Sequence, residues 1–244
     1  MWGLAMNKVL FWDFDGTLVH SNSLWSNSVF SVLRRSMPEC PVSFDEIRYH
    51  MKEGFTWHTP ESDFRHLTDD RWWDFMTNRF SHIYQQFGIP RSEADRIARL
   101  VKPEILRTEN YTLYDDAVPI LETCVKRGYR NVIVSNNYPE LQEVMAGLDL
   151  SRYFEDFIIS GKVGYDKPRK EIFVIALQRT GYPDHCFMIG ENPFADVYGA
   201  NQAGIGSILV HSRPDDCVVP AMNGVEFYAD FTFEHLYMME EALE

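Results

Sequence analysis

Apolar and polar positions divide this chain into two kinds of territory. Residues 9 to 12, Val-Leu-Phe-Trp, form a short unbroken apolar run, the composition of a buried strand. Asp13-Phe14-Asp15-Gly16-Thr17 follows, and because Asp-Gly is turn chemistry the chain is predicted to leave its strand there. The spacing then becomes helical. Leu24, Trp25, Val29 and Val32 share one face, as do Trp73, Met76, Phe80, Ile83, Tyr84 and Phe87, with Gly88 as a stop. Ser92 to Val101 reads as a further helix opened by the pair Ser92-x-x-Asp95, and Lys52 to Pro60 reads as an irregular stretch.

From Tyr111 onward strands and helices alternate. Predicted helices run over Asp116 to Arg127, Pro139 to Leu148, Arg169 to Arg179 and Ala195 to Ala203. Predicted strands run over Asn131 to Ser135, Phe157 to Ser160, Cys186 to Ile189 and Ser207 to Val210. Such alternation implies an α/β fold, a Rossmann-like doubly wound parallel sheet with helices on both faces. A β-α-β unit takes about 30 residues. Ser135 to Lys167 fits one unit, but Asp13 to Ser135 spans 122 positions. The surplus is the helical stretch, so residues 20–103 are expected to form an inserted helical cap and residues 1–19 with 104–244 the core. Asp230 to Glu244 reads as an amphipathic terminal helix against the core or a partner.

Composition narrows the classes. A chain of 244 residues with 45% hydrophobic and 24% charged residues suits a soluble globular protein. Its net charge of −13 leaves no basic face for nucleic acid. That balance does not decide about a small anionic substrate, because local charge overrides the global sign. Cys40, Cys124, Cys186 and Cys217 match no zinc spacing, and Cys124 and Cys186 are expected as core thiols. Neither a signal peptide nor a membrane span is expected, so the setting is read as cytoplasmic, with the oligomeric state open.

The candidate chemistry sits at strand ends. Alternation along a strand points Asp13 and Asp15 to one side, and two adjacent carboxylates call for a divalent cation. A hydroxyl, Ser135, ends the next strand; Lys167 precedes a helix; Glu191 and Asp196 follow a third strand. Each alone has a plainer explanation: a turn residue for Ser135, a solvated surface cation for Lys167, a helix N-terminal acid for Asp196. Their order lifts them.

Asp13-x-Asp15-Gly16-Thr17, Ser135, Lys167 and Gly190-Glu191-x-x-x-x-Asp196 together resemble the four ordered motifs of the haloacid dehalogenase superfamily. The likeness covers residues 7 to 19 and 111 to 210, and the helical insert resembles that family's first type of cap. The resemblance implies an Mg²⁺-dependent phosphatase. Asp13 would be the nucleophile and Asp15 the general acid and base, with Lys167 neutralising charge. Ser135, Asn136 and Thr17 would bind phosphate, and Asp13, Asp15, Glu191 and Asp196 would hold the metal. Glu191 departs from the usual Gly-Asp of the last motif, leaving open whether it or Asp196 is the direct ligand. Asp15 argues against the carbon-attacking dehalogenases and the phosphonate-cleaving members.

A phosphomutase is the alternative within the family, and a catalytically silent phosphate-sensing or scaffold relative is the alternative outside catalysis. The expected partner is a small phosphorylated metabolite. Its selection is assigned to the cap, with Lys52, Phe55, Trp57 and His58 as candidate selectors and His20 and Ser21 near the leaving group. Trp57 packed among its own helices is the competing reading. Trp72 and Trp73 are expected in the cap core, and the eight-residue spacing of His50, His58 and His66 does not align a metal face.

Overall fold

A computed structural model describes residues 6–213, 218–222 and 225–243. Five strands lie where the apolar runs place them: β1 (Lys8–Trp12), β2 (Arg130–Ser135), β3 (Asp156–Ile159), β4 (His185–Gly190) and β5 (Gly206–Val210). A hairpin, β6 (Val218–Met222) with β7 (Val225–Tyr228), and a short strand β8 (Phe231–Phe233) complete the set. The six-stranded sheet runs β3-β2-β1-β4-β5-β8, every pairing parallel. The strand order reverses at β1, which pairs with β2 on one side and β4 on the other. In an open parallel sheet the crevice beyond the carboxyl ends at that reversal is where ligands bind.

Alternation along β1 explains why both faces are covered. Leu10 and Trp12 join one large core, while Val9 and Phe11 join a second core with Ile172 and Phe173 of α9 (Lys170–Arg179). The first core is continuous with the helices inserted after β1: α1 (Leu24–Ser36), α2 (Phe44–His50), α3 (Asp70–Gln86), α4 (Arg91–Ala98) and α5 (Val101–Ile105). Trp72 and Trp73 of α3 are buried in it, as expected. Both connections to the sheet run side by side: His20 N donates to the Thr112 carbonyl at 2.9 Å and Tyr114 N to the Leu18 carbonyl at 3.1 Å. On the sheet side lie α6 (Ala117–Lys126), α7 (Leu141–Gly147), the single turn α8 (Ser160–Val163), α9 and α10 (Gly199–Gln202).

Several local expectations need correcting. Residues 230 to 243 do not form one continuous helix: Phe231–Phe233 pairs in parallel with Ile208–Val210, and a 3₁₀ helix at Leu236–Ala242 follows. Phe233, Leu236 and Met239 are buried against the first core, and Arg127 clasps Glu240 at 2.9 Å. The terminus therefore packs on the core, because the open edge of β5 offers a ladder that a helix could not use. Ser92 and Asp95 do not cap α4, which starts at Arg91 after Pro90; Asp95 instead accepts from Ser81 Oγ of α3 at 2.5 Å. Pro139 precedes α7 rather than opening it, and Pro193–Tyr198 is a π-helical turn leading into α10. Helix α2 escaped the pattern although Ser43 and Glu46 form a full capping box at its start. Cys124 is buried and Cys186 half-buried, whereas Cys217 lies outside the described residues. Among the described residues no helix is long and apolar enough to cross a membrane.

Candidate active site

Four strand ends converge on one crevice. Asp13 is the first residue past β1, and its N–H donates to the Ile189 carbonyl of β4 at 2.9 Å, so the peptide plane is held by the neighbouring strand. Its carboxylate receives Lys167 Nζ at 2.9 Å, and the same ammonium reaches Asp196 Oδ1 at 2.6 Å. Lys167 is 2% exposed. Burial alone would push its pKa down, but Asp13 and Asp196 outweigh that and hold it above its ordinary value. A charge so enclosed is retained only because its partners are fixed.

Fixing Lys167 is the work of Asn136. Its amide Nδ2 donates to the Lys167 carbonyl at 2.9 Å, while its Oδ1 accepts from Lys167 N at 2.6 Å. The side chain expected to bind phosphate thus clasps the backbone of the lysine loop while still lining the cavity. Ser135, at the end of β2, is 1% exposed, and its hydroxyl has no protein partner; nor has the buried hydroxyl of Thr17. A buried hydroxyl without a partner is costly unless a ligand supplies one. Both are therefore suited to an oxygen-rich group such as phosphate.

Asp15 lies one turn beyond Asp13. Burial, then the Asp13 charge, push its carboxyl up to about 7, with Asn137 and Lys167 opposing. Asn137 Nδ2 donates to Asp15 Oδ2 at 2.6 Å. Asn137 is itself 2% exposed, anchored by its N–H on Ser160 Oγ at 3.0 Å and by its Oδ1 on Tyr138 N. Sequence reading missed it, although it is the third member of the polar run Ser135-Asn136-Asn137. Gly16 follows with φ of 75°, and a Cβ there would lie 2.8 Å from Glu191 Cγ. Only glycine lets the turn close over that acid.

The two acids after β4 separate in role. Glu191 lines the cavity, and burial, then Asp196 and Asp13, push its carboxyl up to about 8. Asp196 sits behind Lys167, 1% exposed, accepting from Asn192 N at 3.0 Å as well as from the ammonium. Burial raises its pKa against the opposing pull of Lys167. It packs so closely on Gly190 that a Cβ there would collide with its carboxylate. Geometry therefore favours Glu191 over Asp196 as a group that can reach a ligand.

Were all four carboxyls ionised, one lysine would leave three negative charges unbalanced, and the raised Asp15 and Glu191 carboxyls reflect that crowding. Among the described residues no three acidic, histidine or cysteine side chains form a ready cage. Magnesium does not need one, since it keeps several waters and takes one or two carboxylates beside phosphate oxygens. The surplus charge and all-oxygen donors fit such an ion.

The cavity in front of these groups has a volume of about 270 Å³. Its opposite wall comes from the start of the helical insert, Ser21 to Trp25, and from Trp57. Of the expected selectors, Trp57 lines it, and Phe55 supports Trp57 by stacking at 4.5 Å. His58 is exposed beside them, its Nδ1 accepting weakly from Phe55 N at 3.4 Å. Lys52 lines a separate depression with Arg79 and His82. His20 packs against Tyr114 with the rings tilted by 38° and 3.8 Å apart, outside the cavity that Ser21 lines. Trp25, read only as one apolar position of a helix, is the hub of this wall, with six aromatic rings between 5.0 and 6.3 Å.

Aspartates, a hydroxyl, a lysine and a further acid gathered beyond the strand ends of one parallel sheet fit the class of hydrolases. Residues 7–204 match the model for haloacid dehalogenase-like hydrolases, and the chain belongs to that family. It is 34% identical over 126 residues to the phosphoserine phosphatase of Thermus thermophilus, an alignment covering 50% of this chain and 51% of that protein. The match thus spans about half the length of that relative. Over 254 residues it is 24% identical to the glyceraldehyde 3-phosphate phosphatase of Pyrococcus furiosus, covering 97% and 93% of the two chains. Among solved structures, YfnB of Bacillus subtilis, described as a HAD-hydrolase bound to magnesium, superposes with a TM-score of 0.68. It is 18% identical and 98% and 99% of the two chains are covered, a likeness of fold.

Proposed function

We propose that this protein is an Mg²⁺-dependent phosphatase that hydrolyses a small phosphate monoester through an aspartyl-phosphate on Asp13. The observation that carries the reading is the pairing of two carboxyls in unlike settings. Asp13 is buried and ion-paired to Lys167, whereas Asp15 is half-buried, held by Asn137 and raised to about 7. Such a pair divides nucleophile from acid. Asp13 attacks phosphorus, the ester P–O bond breaks, and Asp15 gives its proton to the leaving oxygen. Asp15 then takes a proton from the water that attacks the aspartyl-phosphate, releasing inorganic phosphate and restoring Asp13. Lys167 holds the nucleophile and offsets charge on the transferring group, and the Ser135 hydroxyl donates to a phosphoryl oxygen. Magnesium, held by Asp13, Glu191 and the Asp15 carbonyl, would supply Lewis-acid neutralisation of the phosphoryl oxygens.

Residues 20–103 serve in this reading as a cap whose face closes over the leaving group and keeps out bulk water. The relatives' names, one for phosphoserine and one for glyceraldehyde 3-phosphate, support phosphate monoesters as the class. The test is phosphate release from a panel of monoesters with Mg²⁺ or chelator, beside Asp13→Asn. Release that needs the metal and falls at least about a thousandfold in the variant is expected. Phosphate moved between positions of a sugar without release would make the protein a mutase. A folded protein that releases phosphate from nothing would make it a silent relative.

A further inference from the structure

The cavity selects by charge in the region that would receive the alcohol part of a substrate. Among the described residues lining it, Asp13, Asp15 and Glu191 are acidic and Lys167 is the one base. Lys167 is already shared between Asp13 and Asp196 at 2.9 and 2.6 Å. The opposite wall, Ser21, Asn22, Ser23, Leu24, Trp25 and Trp57, carries two hydroxyls, an amide, an alkyl group and two indoles, and nothing ionisable. The Asn22 amide is turned to the Asn110 carbonyl at 2.8 Å. Three cations on the flanking segments are paired as well: Arg65 with Asp63, Lys102 with Glu140 and Arg169 with Glu171, each at 2.5 Å.

A carboxylate or second phosphate on the alcohol part of a substrate would lie against a wall that, among the described residues, offers it no counter-ion. Desolvating an unpaired charge is among the costliest contacts a site can make. An uncharged group meets complementary chemistry instead, with indoles for its carbon face and serine hydroxyls for its edge.

We infer that this cavity takes phosphate monoesters whose alcohol part is uncharged and hydroxylated, up to about the size of a sugar, and rejects those bearing a second anionic group. The inference rests on the phosphatase reading above and adds the substrate class to it. Discrimination comes from the lack, among the described lining residues, of a cation on the helical side, so the rejection needs no steric clash.

Matched pairs test it: glycerol 3-phosphate against 3-phosphoglycerate, and glucose 6-phosphate against 6-phosphogluconate, with p-nitrophenyl phosphate as a general probe. The uncharged member of at least one pair should show a kcat/KM about a hundredfold above its carboxylated partner. Asn22→Arg, which places a cation on the exposed rim of the cavity, should narrow that ratio about tenfold. Wild-type ratios within about threefold, or a preference for the acid, would overturn the inference. So would turnover of p-nitrophenyl phosphate with none of the uncharged esters. Inactivity on every compound, p-nitrophenyl phosphate included, would overturn the phosphatase reading itself.

Discussion

The two walls of the cavity are held in place by different physics. On the sheet side, Asp13, Lys167, Asp196, Asn136 and Asn137 are joined by hydrogen bonds and ion pairs of 2.6 to 3.0 Å, each anchored to a strand end or to the backbone beside one. On the helical side, Trp25, Phe55, Trp57, Trp72 and Trp73 meet ring to ring at 4.5 to 6.4 Å. One polar strut ties that cluster to the sheet: Trp73 Nε1 and Lys102 Nζ both reach the Glu140 carboxylate at 2.5 Å. Directional bonds fix a reacting atom closely, as in-line attack requires. Dispersion and area burial tolerate a shift of the rings, as a wall that must admit and release a substrate requires. In the proposed phosphatase this would separate chemistry from selection within one cavity.

The separation can be broken from either side. The largest effect is expected at Trp25→Ala, which removes the hub of the ring cluster. Because Trp25 is half-buried, unfolding free energy should fall by about 2–3 kcal/mol, read by urea denaturation. Substrate KM should rise while kcat stays within about threefold. A collapse of kcat at constant KM would show that the ring wall also sets the chemistry.

Asn137→Ala should do the reverse. Without the 2.6 Å bond to Asp15, proton delivery to the leaving oxygen falters. Alkyl phosphates should lose about tenfold in kcat, whereas p-nitrophenyl phosphate, whose leaving group needs little protonation, should lose far less. In an Asp15→Asn background the second change should add almost nothing. Equal losses on both substrate types would reduce Asn137 to a packing residue.

The smallest effect concerns pH. Asp15 and Glu191 rise from 3.8 and 4.5 to about 7 and about 8 on folding, so both bind a proton more tightly in the native chain. The stability they contribute is complete below pH 4 and is lost as the pH climbs through 7 and 8. With chelator present, Tm should fall by several degrees between pH 5 and pH 8.5, and Mg²⁺ should restore more of it at the alkaline end. A Tm that rises over that interval would contradict the enclosed, under-neutralised carboxyl cluster.

Much of the sheet side was legible before any coordinates. Apolar runs located five parallel strands, and chemistry at strand ends marked Asp13, Asp15, Ser135, Lys167 and Glu191, because strand ends are where a parallel sheet presents its side chains. Asn136 shows the limit of that logic. The family resemblance implied that it binds phosphate, yet its amide is occupied by the Lys167 backbone 31 positions away. Selector residues were harder still. Trp57 lines the cavity and Phe55 supports it, whereas Lys52 and His20 lie outside it, a division that one short irregular stretch and one linker do not reveal. Trp25 looked like any apolar helical position.

Local order and periodicity in this sequence determined the parallel core, the inserted helices and the kinds of group at each strand end. These depend on neighbours along the chain and on propensities that act over a few residues. Tertiary structure alone decided that Asp196 stands behind Lys167 while Glu191 faces the cavity, and that β8 rather than a helix closes the sheet edge. It also decided that Trp25 and Trp57 line the same cavity as Asp13. Each of those outcomes turns on which distant partner reaches a buried charge, an open ladder or a ring face first, and the spacing of residues along a chain does not encode that competition.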